Sequence, residues 1–362
     1  MQNQLVSATV ITGFLGAGKT TLIRRIIEQA NGKRLALIVN EFGDIGIDGL
    51  MLDDCGSDAC RSEDIIELAN GCICCTVADD FLPSMQALLS QTPPPDHIII
   101  ETSGLALPQP LVQAFNWPDI KARCRLDGVV TLVDGPALAQ GYVVEDEAAL
   151  EAQRAADEEL DHESPIEELF EDQIGAANLI LISKSDLCSP ADITTVKDKL
   201  AKELDHPTAI VTISQDNVPV SAILGLNMDD EDRERASHSH HHHHHHHDDD
   251  HDHDDDHDHH HDHDHGHDEF ESFIVSVPDI AQPKQFEAQL SKLAAKYQIL
   301  RAKGALTVTG KALPYIVQAV GSRVDGYYAN QSVSRTGALV VIGLKGLDQK
   351  AIEAEIAELI VG

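Results

Sequence analysis

The sequence predicts an α/β fold in which a mostly parallel sheet is flanked by helices and is followed by a small α+β domain. Over residues 1–226, short apolar and β-branched stretches alternate with segments of helical periodicity, which is the pattern of a parallel sheet with crossover helices. A glycine-rich stretch lies between the first predicted strand and the first predicted helix. A histidine- and aspartate-rich stretch at residues 227–270 separates this part from residues 271–362.

Composition limits what the chain can do. It has 362 residues, a formal net charge of −35, 42% hydrophobic residues and 4% aromatic residues, which is enough for a sizeable aliphatic core. The acidic balance argues against nucleic acids and membranes as partners. Because there is no signal peptide and no apolar run long enough to span a bilayer, we expect a soluble, cytoplasmic protein. Seven cysteines in such a chain favour metal binding over disulfides.

The glycine-rich stretch reads GFLGAGKT at residues 13–20 and fits the pattern G-x-x-x-x-G-K-[ST]. Residues 7–12 (SATVIT) predict a buried strand before it, and residues 21–28 (TLIRRIIE) predict a helix directly after it. In this context the loop amides and the helix N-terminus would hold phosphate groups. Lys19 would lie at the β- and γ-phosphates, and the Thr20 hydroxyl would ligate Mg²⁺. The prediction is therefore a P-loop NTPase domain.

Residues 33–40 (KRLALIVN) predict a second strand, which leads into the segment EFGDIGID at residues 41–48. An acidic segment that contains glycine and follows a strand end lies where ligands bind in open α/β sheets. It is either a switch that senses the γ-phosphate and Mg²⁺ or an ordinary polar loop, and composition does not separate the two.

A short strand predicted at residues 64–68 leads into the second strong motif, three thiols within four residues at Cys72, Cys74 and Cys75. Their spacing is too tight for relaxed disulfides, whereas converging thiolates suit Zn²⁺, Co²⁺ or Cu⁺. We therefore favour a metal site over buried structural cysteines. Three sulfur ligands leave a fourth position open, which suits a site that transfers its metal. Cys55 and Cys60 are expected to be unpaired loop thiols rather than auxiliary ligands.

Further along the chain, residues 79–90 predict a helix and residues 97–101 (HIIIE) predict a buried strand that ends in Glu101. Such a strand has the form of a Walker-B strand, whose carboxylate organises Mg²⁺ or the attacking water. Residues 126–134 (LDGVVTLVD) predict another strand with an acid at its end. The acidic segment 145–174 is predicted to be helical, with most of its charges solvated.

Residues 177–183 (ANLILIS) predict a strand that runs into Ser183-Lys184-Ser185-Asp186, which resembles the guanine-reading element N-K-x-D. An aspartate at this position accepts hydrogen bonds from N1–H and N2–H₂ of guanine, and adenine lacks that donor pair. The nucleotide is therefore expected to be GTP. Ser183 replaces the usual asparagine and lacks its amide. Residues 209–214 predict the last strand of this domain.

The linker 227–270 is of low complexity, and residues 238–267 hold 18 of the 21 histidines, mostly interleaved with aspartate. Such a segment buries no core and is expected to be disordered. Neutral imidazoles bind Zn²⁺, Co²⁺, Ni²⁺ and Cu²⁺, so the segment would be a weak metal reservoir with many sites. The three remaining histidines are expected to be ordinary surface or packing residues, at His97, His162 and His206.

The C-terminal part, residues 271–362, is predicted to be a small α+β domain without a catalytic constellation. Its predicted elements are strands at 272–277 and 337–344, an extended pair at 300–308, a segment of mixed character at 312–320, and helices at 283–297 and 348–359.

Taken together and in this order, the motifs resemble the CobW family of P-loop GTPases, whose members act as metallochaperones. The motifs are the P-loop, N-E-F-G with G-I-D, E-L-A-N-G-C-I-C-C-T, I-I-E-T-S-G and S-K-S-D. Within the family, the acidic insertion and the run L-D-G-V-V-T-L-V-D are most similar to the branch linked to cobalt supply for cobalamin biosynthesis.

The resemblance implies roles for the matching positions. Catalysis would involve Lys19, Glu41 and Glu101, with the acid that positions the water left open. Metal would be held by Cys72, Cys74 and Cys75 for Zn²⁺ or Co²⁺, and by Thr20 for Mg²⁺. The nucleotide would be bound by Gly13, Gly16, Ala17, Gly18, Lys19, Thr20, Thr21, Cys75, Thr76, Asp79, Ser183, Lys184 and Asp186.

The function implied is that of a slow GTPase that binds Co²⁺ or Zn²⁺ in a nucleotide-dependent way and delivers it to a client metalloenzyme. For cobalt, the client would be an enzyme such as a cobaltochelatase in cobalamin biosynthesis. The alternative is a zinc chaperone, or a storage protein in which the histidine segment buffers metal. A third candidate is a GTPase that activates a metalloenzyme by remodelling it.

Overall fold

The computed structural model describes most of the chain outside the linker. The described residues are 5–30, 32–40, 65–68, 81–144, 146, 148, 150–151, 166–206, 208–214, 218, 220–224, 270–329 and 336–358. Segment 41–48, the three-cysteine motif, most of the acidic segment before residue 166, and linker 227–270 lie outside them. The proposed domain boundary at 226/227 lies outside them as well.

The N-terminal part contains a seven-stranded sheet with the order β3-β2-β4-β1-β5-β6-β7. Every neighbouring pair is parallel, which confirms the predicted parallel α/β sheet. The strands are β1 Val6–Thr12, β2 Leu35–Asn40, β3 Ile65–Leu68, β4 His97–Glu101, β5 Cys124–Asp134, β6 Leu179–Ser183 and β7 Ala209–Thr212.

Both faces of this sheet are buried, because successive side chains of a strand point to opposite faces. In β2, Leu35 and Leu37 belong to one hydrophobic core, and Ala36 and Ile38 belong to another. The helices that cover the faces are α1 Lys19–Glu28, α2 Leu82–Leu89, α3 Pro108–Ala114, α4 Pro118–Lys121, α5 Gly135–Ala139, α6 Ile166–Gly175, α7 Pro190–Glu203 and α8 Val220–Leu224.

The C-terminal part contains a five-stranded antiparallel sheet with the order β11-β10-β9-β12-β8. Its elements are β8 Phe270–Ser276, α9 Pro283–Tyr297, β9 Ile299–Leu306, β10 Tyr315–Val320, β11 Arg323–Tyr328, β12 Ala338–Leu344 and α10 Gln349–Glu358. This confirms the predicted α+β domain. Among the helices described in either part, none is long and apolar enough to cross a membrane.

One detail of the C-terminal prediction is wrong. The segment 300–308 is not an extended pair, because β9 is one continuous strand that pairs with β10 on one side and β12 on the other. The segment 312–320, for which the sequence indicated only mixed character, is a strand from Tyr315 onward, because its apolar residues pack in the core of the sheet. Strand β11 was not predicted, since the stretch RVDGYY lacks the alternation of a half-buried strand.

The two sheets share a core and a buried ion pair. Leu300, Val320 and Ile342 of the C-terminal sheet pack in the same hydrophobic cluster as residues of the parallel sheet. At this interface Arg301 Nη2 donates to Asp127 Oδ2 at 2.6 Å, and both side chains are only 2% exposed. Burial alone would raise the pKa of Asp127, but Arg301, His97 and Arg125 outweigh burial and hold that pKa below its ordinary value. Removing either partner would leave a buried charge uncompensated.

His97 lies at the start of β4, beside this ion pair. It is buried, and its Nε2 lies 2.8 Å from Thr9 Oγ1, as expected for a packing residue. Burial lowers the pKa of His97 to about 4; Asp127 opposes this shift, and Arg301 adds to it. The imidazole is therefore neutral in the folded protein at pH 7, and it remains neutral well below the pH at which an exposed histidine takes up a proton.

We expect His97 to make stability pH-dependent. As pH falls through 6.5, the unfolded chain protonates this histidine while the folded chain does not, so stability is lost until pH reaches about 4. The free energy of unfolding should fall by about 2 kcal/mol between pH 7 and pH 5 through this group alone. Replacement by glutamine, His97→Gln, should remove that contribution, as measured by urea unfolding at both pH values. The control is His206→Gln, at a partly exposed site; equal pH dependence in wild type and His97→Gln would contradict the assignment.

Candidate nucleotide-binding site

The phosphate-binding loop connects the end of β1 to the start of α1. Gly13 has φ +137°, and a Cβ at this position would lie 2.3 Å from the Leu132 carbonyl oxygen of β5. Only glycine allows so close an approach. Gly16 and Gly18 also have positive φ, and Gly18 is the N-cap of α1 in the left-handed conformation. The loop is therefore shaped by contact with the neighbouring strand.

Lys19 closes the loop. Its Nζ donates to the carbonyl oxygens of Gly13 at 2.8 Å and Phe14 at 3.2 Å. A tight turn in which the Ala17 amide donates to the Phe14 carbonyl oxygen supports this arrangement. Ala17 is buried, whereas Thr21 is exposed in the first turn of α1. The ammonium group is thus held over the loop in which phosphate groups would bind.

Thr20, in the first turn of α1, and Glu101, at the end of β4, come together at one edge of the sheet. Ile11 lies opposite Glu101 in the parallel pairing of β1 with β4, so both strands end at the same edge. The Thr20 hydroxyl donates to Glu101 Oε1 at 3.5 Å, and Glu101 is buried. A hydroxyl and a carboxylate are the hard oxygen ligands that Mg²⁺ prefers, so the residues present fit this ion.

The segment 183–186 lies beside the phosphate-binding loop. A Cβ built on Gly18 would be 4.0 Å from the Ser183 Cβ. The Ser183 hydroxyl donates to the Val133 carbonyl oxygen at 3.0 Å. Lys184 has φ +53°, and Asp186 is exposed in the short 3-10 turn Ser185–Leu187. The structure therefore brings together the predicted phosphate and base segments, which are far apart in sequence.

The sequence indicated an acid at the end of the strand 126–134 but no part for it in this site. Asp134, at the end of β5, accepts a hydrogen bond from Lys184 Nζ at 2.6 Å and is only 3% exposed. Its other carboxylate oxygen accepts from the Ala137 amide at 3.1 Å, so Asp134 is the N-cap of α5. The sequence Asp-Gly-Pro after a buried strand is a helix-start signal that indicates this cap. No local sequence pattern indicates the ion pair of Asp134 with Lys184, because the two residues are 50 positions apart.

Several predicted site residues lie outside the described part of the chain, namely Glu41, Cys72, Cys74, Cys75, Thr76 and Asp79. The same holds for Cys55, Cys60 and His162. Within the described residues, no group of three or more histidine, cysteine, aspartate or glutamate residues could hold a metal ion. Burial raises the pKa of the Cys124 thiol to about 12, which disfavours the thiolate that binds metal.

A phosphate-binding loop and an acid-ended strand, on a parallel sheet covered by helices, define a P-loop nucleotide-binding protein. Residues 7–212 match the CobW/HypB/UreG nucleotide-binding domain. Residues 270–360 match the domain described as the cobalamin synthesis protein cobW C-terminal domain. The chain therefore belongs to the CobW/HypB/UreG family of P-loop GTPases.

Curated relatives extend over most of the chain. A protein named zinc chaperone CobW from Sinorhizobium sp. is 47% identical over 98% of this chain and 97% of its own length. A protein of the same name from Pseudomonas aeruginosa is 43% identical over 95% of this chain and 88% of its own length. Zinc-regulated GTPase metalloprotein activator 1 from Schizosaccharomyces pombe is 36% identical over 54% of this chain and 43% of its own length.

The close contact of Gly13 with β5 makes a direct prediction. In Gly13→Ala, the new Cβ would collide with the Leu132 carbonyl oxygen in a backbone conformation that alanine rarely adopts. We expect the free energy of unfolding to fall by about 2 kcal/mol and binding of a fluorescent GTP analogue to be lost. Gly175→Ala is the control, because nothing lies within 4 Å of the Cβ built there. Tight analogue binding by Gly13→Ala would show that the loop does not bind phosphate.

Proposed function

We propose that this protein is a GTP-hydrolysing metallochaperone that binds a divalent transition-metal ion in a nucleotide-dependent way and delivers it to a client metalloenzyme. The observation that carries the proposal is the convergence of Lys19, Thr20 and Glu101 with the segment 183–186 at one edge of the parallel sheet. Membership of the CobW/HypB/UreG family and the names of the full-length relatives support it.

On the phosphate side, each residue has a distinct proposed part. Lys19 would turn from the loop carbonyls to the β- and γ-phosphates and neutralise charge there. Thr20 would ligate Mg²⁺ through its hydroxyl, and Glu101 would hold either a water of the magnesium shell or the attacking water. Glu41 is the second proposed carboxylate, and it lies outside the described residues. Mg²⁺ would supply the charge that a phosphoryl transfer requires.

On the base side, Asp186 would accept the two guanine donors while the stem of Lys184 covers the base. Ser183 cannot make the contact that an asparagine amide makes in N-K-x-D, because its hydroxyl is short and donates to the Val133 carbonyl oxygen. We infer that the site selects guanine mainly through Asp186 and that its affinity for nucleotide is moderate.

The proposed cargo ligands are Cys72, Cys74 and Cys75. Strand β3, which precedes them, pairs in parallel with β2, and β2 pairs in parallel with β4, so Leu68 and Glu101 end at the same edge. Two strand spacings are about 10 Å, and the four residues from Leu68 to Cys72 span at most about 13 Å. The chain is therefore long enough for a thiol to reach the surroundings of Glu101, which supports coupling between nucleotide and metal.

Zinc is the cargo that the relatives favour, since two of them are named zinc chaperones. The ordinary affinity order of divalent ions also places Zn²⁺ above Co²⁺. Cobalt for cobalamin biosynthesis, with a cobaltochelatase as client, is the second candidate. The match of residues 270–360 to a domain described by cobalamin synthesis favours it. In either case the histidine-rich segment 238–267 would act as a weak reservoir.

The first test concerns the nucleotide. Lys19→Ala removes the ammonium group held over the phosphate loop and should abolish GTP binding and turnover. The matched control is Lys202→Ala. This lysine is exposed in the last turn of α7, a helix that does not form the phosphate-binding loop. GTP turnover measured by phosphate release should be unchanged in the control. Undiminished turnover by Lys19→Ala would rule out the P-loop as the site of hydrolysis.

The second test concerns coupling. The optical absorption of bound Co²⁺ reports ligation by thiolates. Co²⁺ can therefore be titrated under two conditions, one with GDP and one with Mg²⁺ and a non-hydrolysable GTP analogue. We expect binding to be about 5- to 150-fold tighter with the analogue, the usual range of allosteric coupling. Replacing Cys74 and Cys75 by serine should remove both the absorption and the nucleotide effect, whereas deletion of residues 238–267 should preserve both. Equal cobalt affinity with both nucleotides would instead favour the metal-storage alternative.

A further inference from the structure

We propose that Asp134 is a positioning residue for guanine recognition, which anchors the segment Lys184–Ser185–Asp186 without itself contacting the base. The inference rests on the GTP-binding function proposed above. The geometry that points to it is a buried carboxylate at the end of β5 whose two oxygens are held by two different elements.

The Asp134 carboxylate has little freedom. It lies opposite Ser183 in the parallel pairing of β5 with β6, at the edge where both strands end. One oxygen accepts from the Ala137 amide as the N-cap of α5, and this bond fixes the side-chain direction. The other oxygen faces β6 and accepts from the Lys184 ammonium at 2.6 Å. A charge-assisted hydrogen bond from a fixed acceptor is a strong constraint on the lysine.

Lys184 in turn determines where Asp186 lies. Its backbone is left-handed at φ +53°, a conformation that side chains with a Cβ disfavour. The Leu187 amide donates to the Lys184 carbonyl oxygen at 3.0 Å, and the Ser185 amide donates to the Ile213 carbonyl oxygen at 3.2 Å. Asp186 is therefore presented by a turn that begins at Lys184, and a shift of Lys184 would move the carboxylate that reads guanine.

The first turn of α5 also forms a wall of this segment. A Cβ built on Gly135 would lie 2.7 Å from the Ser183 carbonyl oxygen and 3.1 Å from Cys188 Sγ. The helix that Asp134 caps thus contacts the segment on both sides of Asp186. The ion pair and the backbone contact act together, because both come from consecutive residues at the end of β5.

The replacement at Ser183 explains why such an anchor is needed. An asparagine amide at this position could connect the segment to its surroundings, whereas the short Ser183 hydroxyl donates to the Val133 carbonyl oxygen, one residue before Asp134. Asp134, the next residue of the same strand, connects the segment to β5 through its ion pair with Lys184. Guanine preference should therefore depend on a charge that lies outside the base-reading motif.

The test uses Asp134→Asn in the full-length protein. Asparagine caps helices as well as aspartate does, so α5 keeps its N-cap while the charged interaction between Asp134 and Lys184 is lost. We expect GDP affinity, measured with a fluorescent analogue, to fall about tenfold. The affinity for ADP should change less, so the preference for GDP over ADP should fall. For GTP turnover, KM should rise and kcat should stay within about twofold, because the phosphate contacts are untouched.

The matched control is Asp348→Asn. Asp348 Oδ1 accepts from the Ala351 amide at 3.0 Å, which is the same local capping bond at the start of α10, far from the nucleotide site. Lys184→Met serves as the second variant, since it keeps most of the stem, removes the ammonium and leaves the Asp134 cap in place. The loss of GDP affinity in Asp134→Asn with Lys184→Met should be smaller than the product of the two single losses, because the residues act as one pair.

Each outcome of these measurements supports or overturns the inference. If the wild-type protein binds no guanine nucleotide, the proposed function fails and the inference fails with it. If the wild type binds GDP and Asp134→Asn binds it equally well, the inference is overturned and the proposed function stands. Equal losses of GDP and ADP affinity would show that Asp134 supports nucleotide binding in general rather than guanine recognition, and would overturn the inference. Should Asp134→Asn fail to fold, wild-type selectivity in Lys184→Met would overturn it.

Discussion

The parallel register of β1 with β4 and β5 is the constraint on which the rest of the structure depends. It places Ile11 opposite Glu101, so that the phosphate-binding loop and the acid leave the sheet at the same edge. The same register brings Gly13 against the carbonyl oxygen of Leu132 in β5, where no side chain fits. The adjacent pairing of β5 with β6 then adds the base segment to this edge. The candidate nucleotide site is thus a consequence of strand order, and its parts are contributed by separate stretches of sequence.

The C-terminal sheet contacts these strands near their starts, away from the phosphate-binding loop. His97 begins β4, and Asp127 lies near the start of β5, where it pairs with Arg301. Because both charges are buried, docking the two sheets in another register would leave Arg301 without a counter-charge, at a cost of several kcal/mol. The ion pair therefore selects one arrangement of the sheets more than it adds to their stability, and the shared hydrophobic core supplies the stabilisation. The strands that contact the C-terminal sheet are therefore the same ones that form the candidate nucleotide site.

The sequence predicts local elements well and distant pairings poorly. Strand β4 and helix α9 have the predicted bounds, His97–Glu101 and Pro283–Tyr297, because nearby prolines and a continuous apolar pattern define them. Helix α7 was not predicted, although Ser189 and Asp192 form a capping box at its start. The contact of Asp134 with Lys184 joins residues 50 positions apart and follows from strand order, which no local pattern encodes. The three-cysteine motif is a strong prediction from spacing, but it lies outside the described residues.

Magnitudes constrain how the proposed chaperone could release its cargo. A structural zinc site binds with about 10–16 kcal/mol at neutral pH, whereas coupling between two sites is typically about 1–3 kcal/mol. Hydrolysis of GTP could therefore weaken a thiolate site by a modest factor but could not expel zinc into water. A site with three sulfur ligands leaves one tetrahedral position open, and a client ligand could bind there before any thiolate leaves. On the proposed assignment of Cys72, Cys74 and Cys75, transfer would then proceed by ligand exchange, with the nucleotide setting when the exchange is favourable and the client supplying most of the driving force.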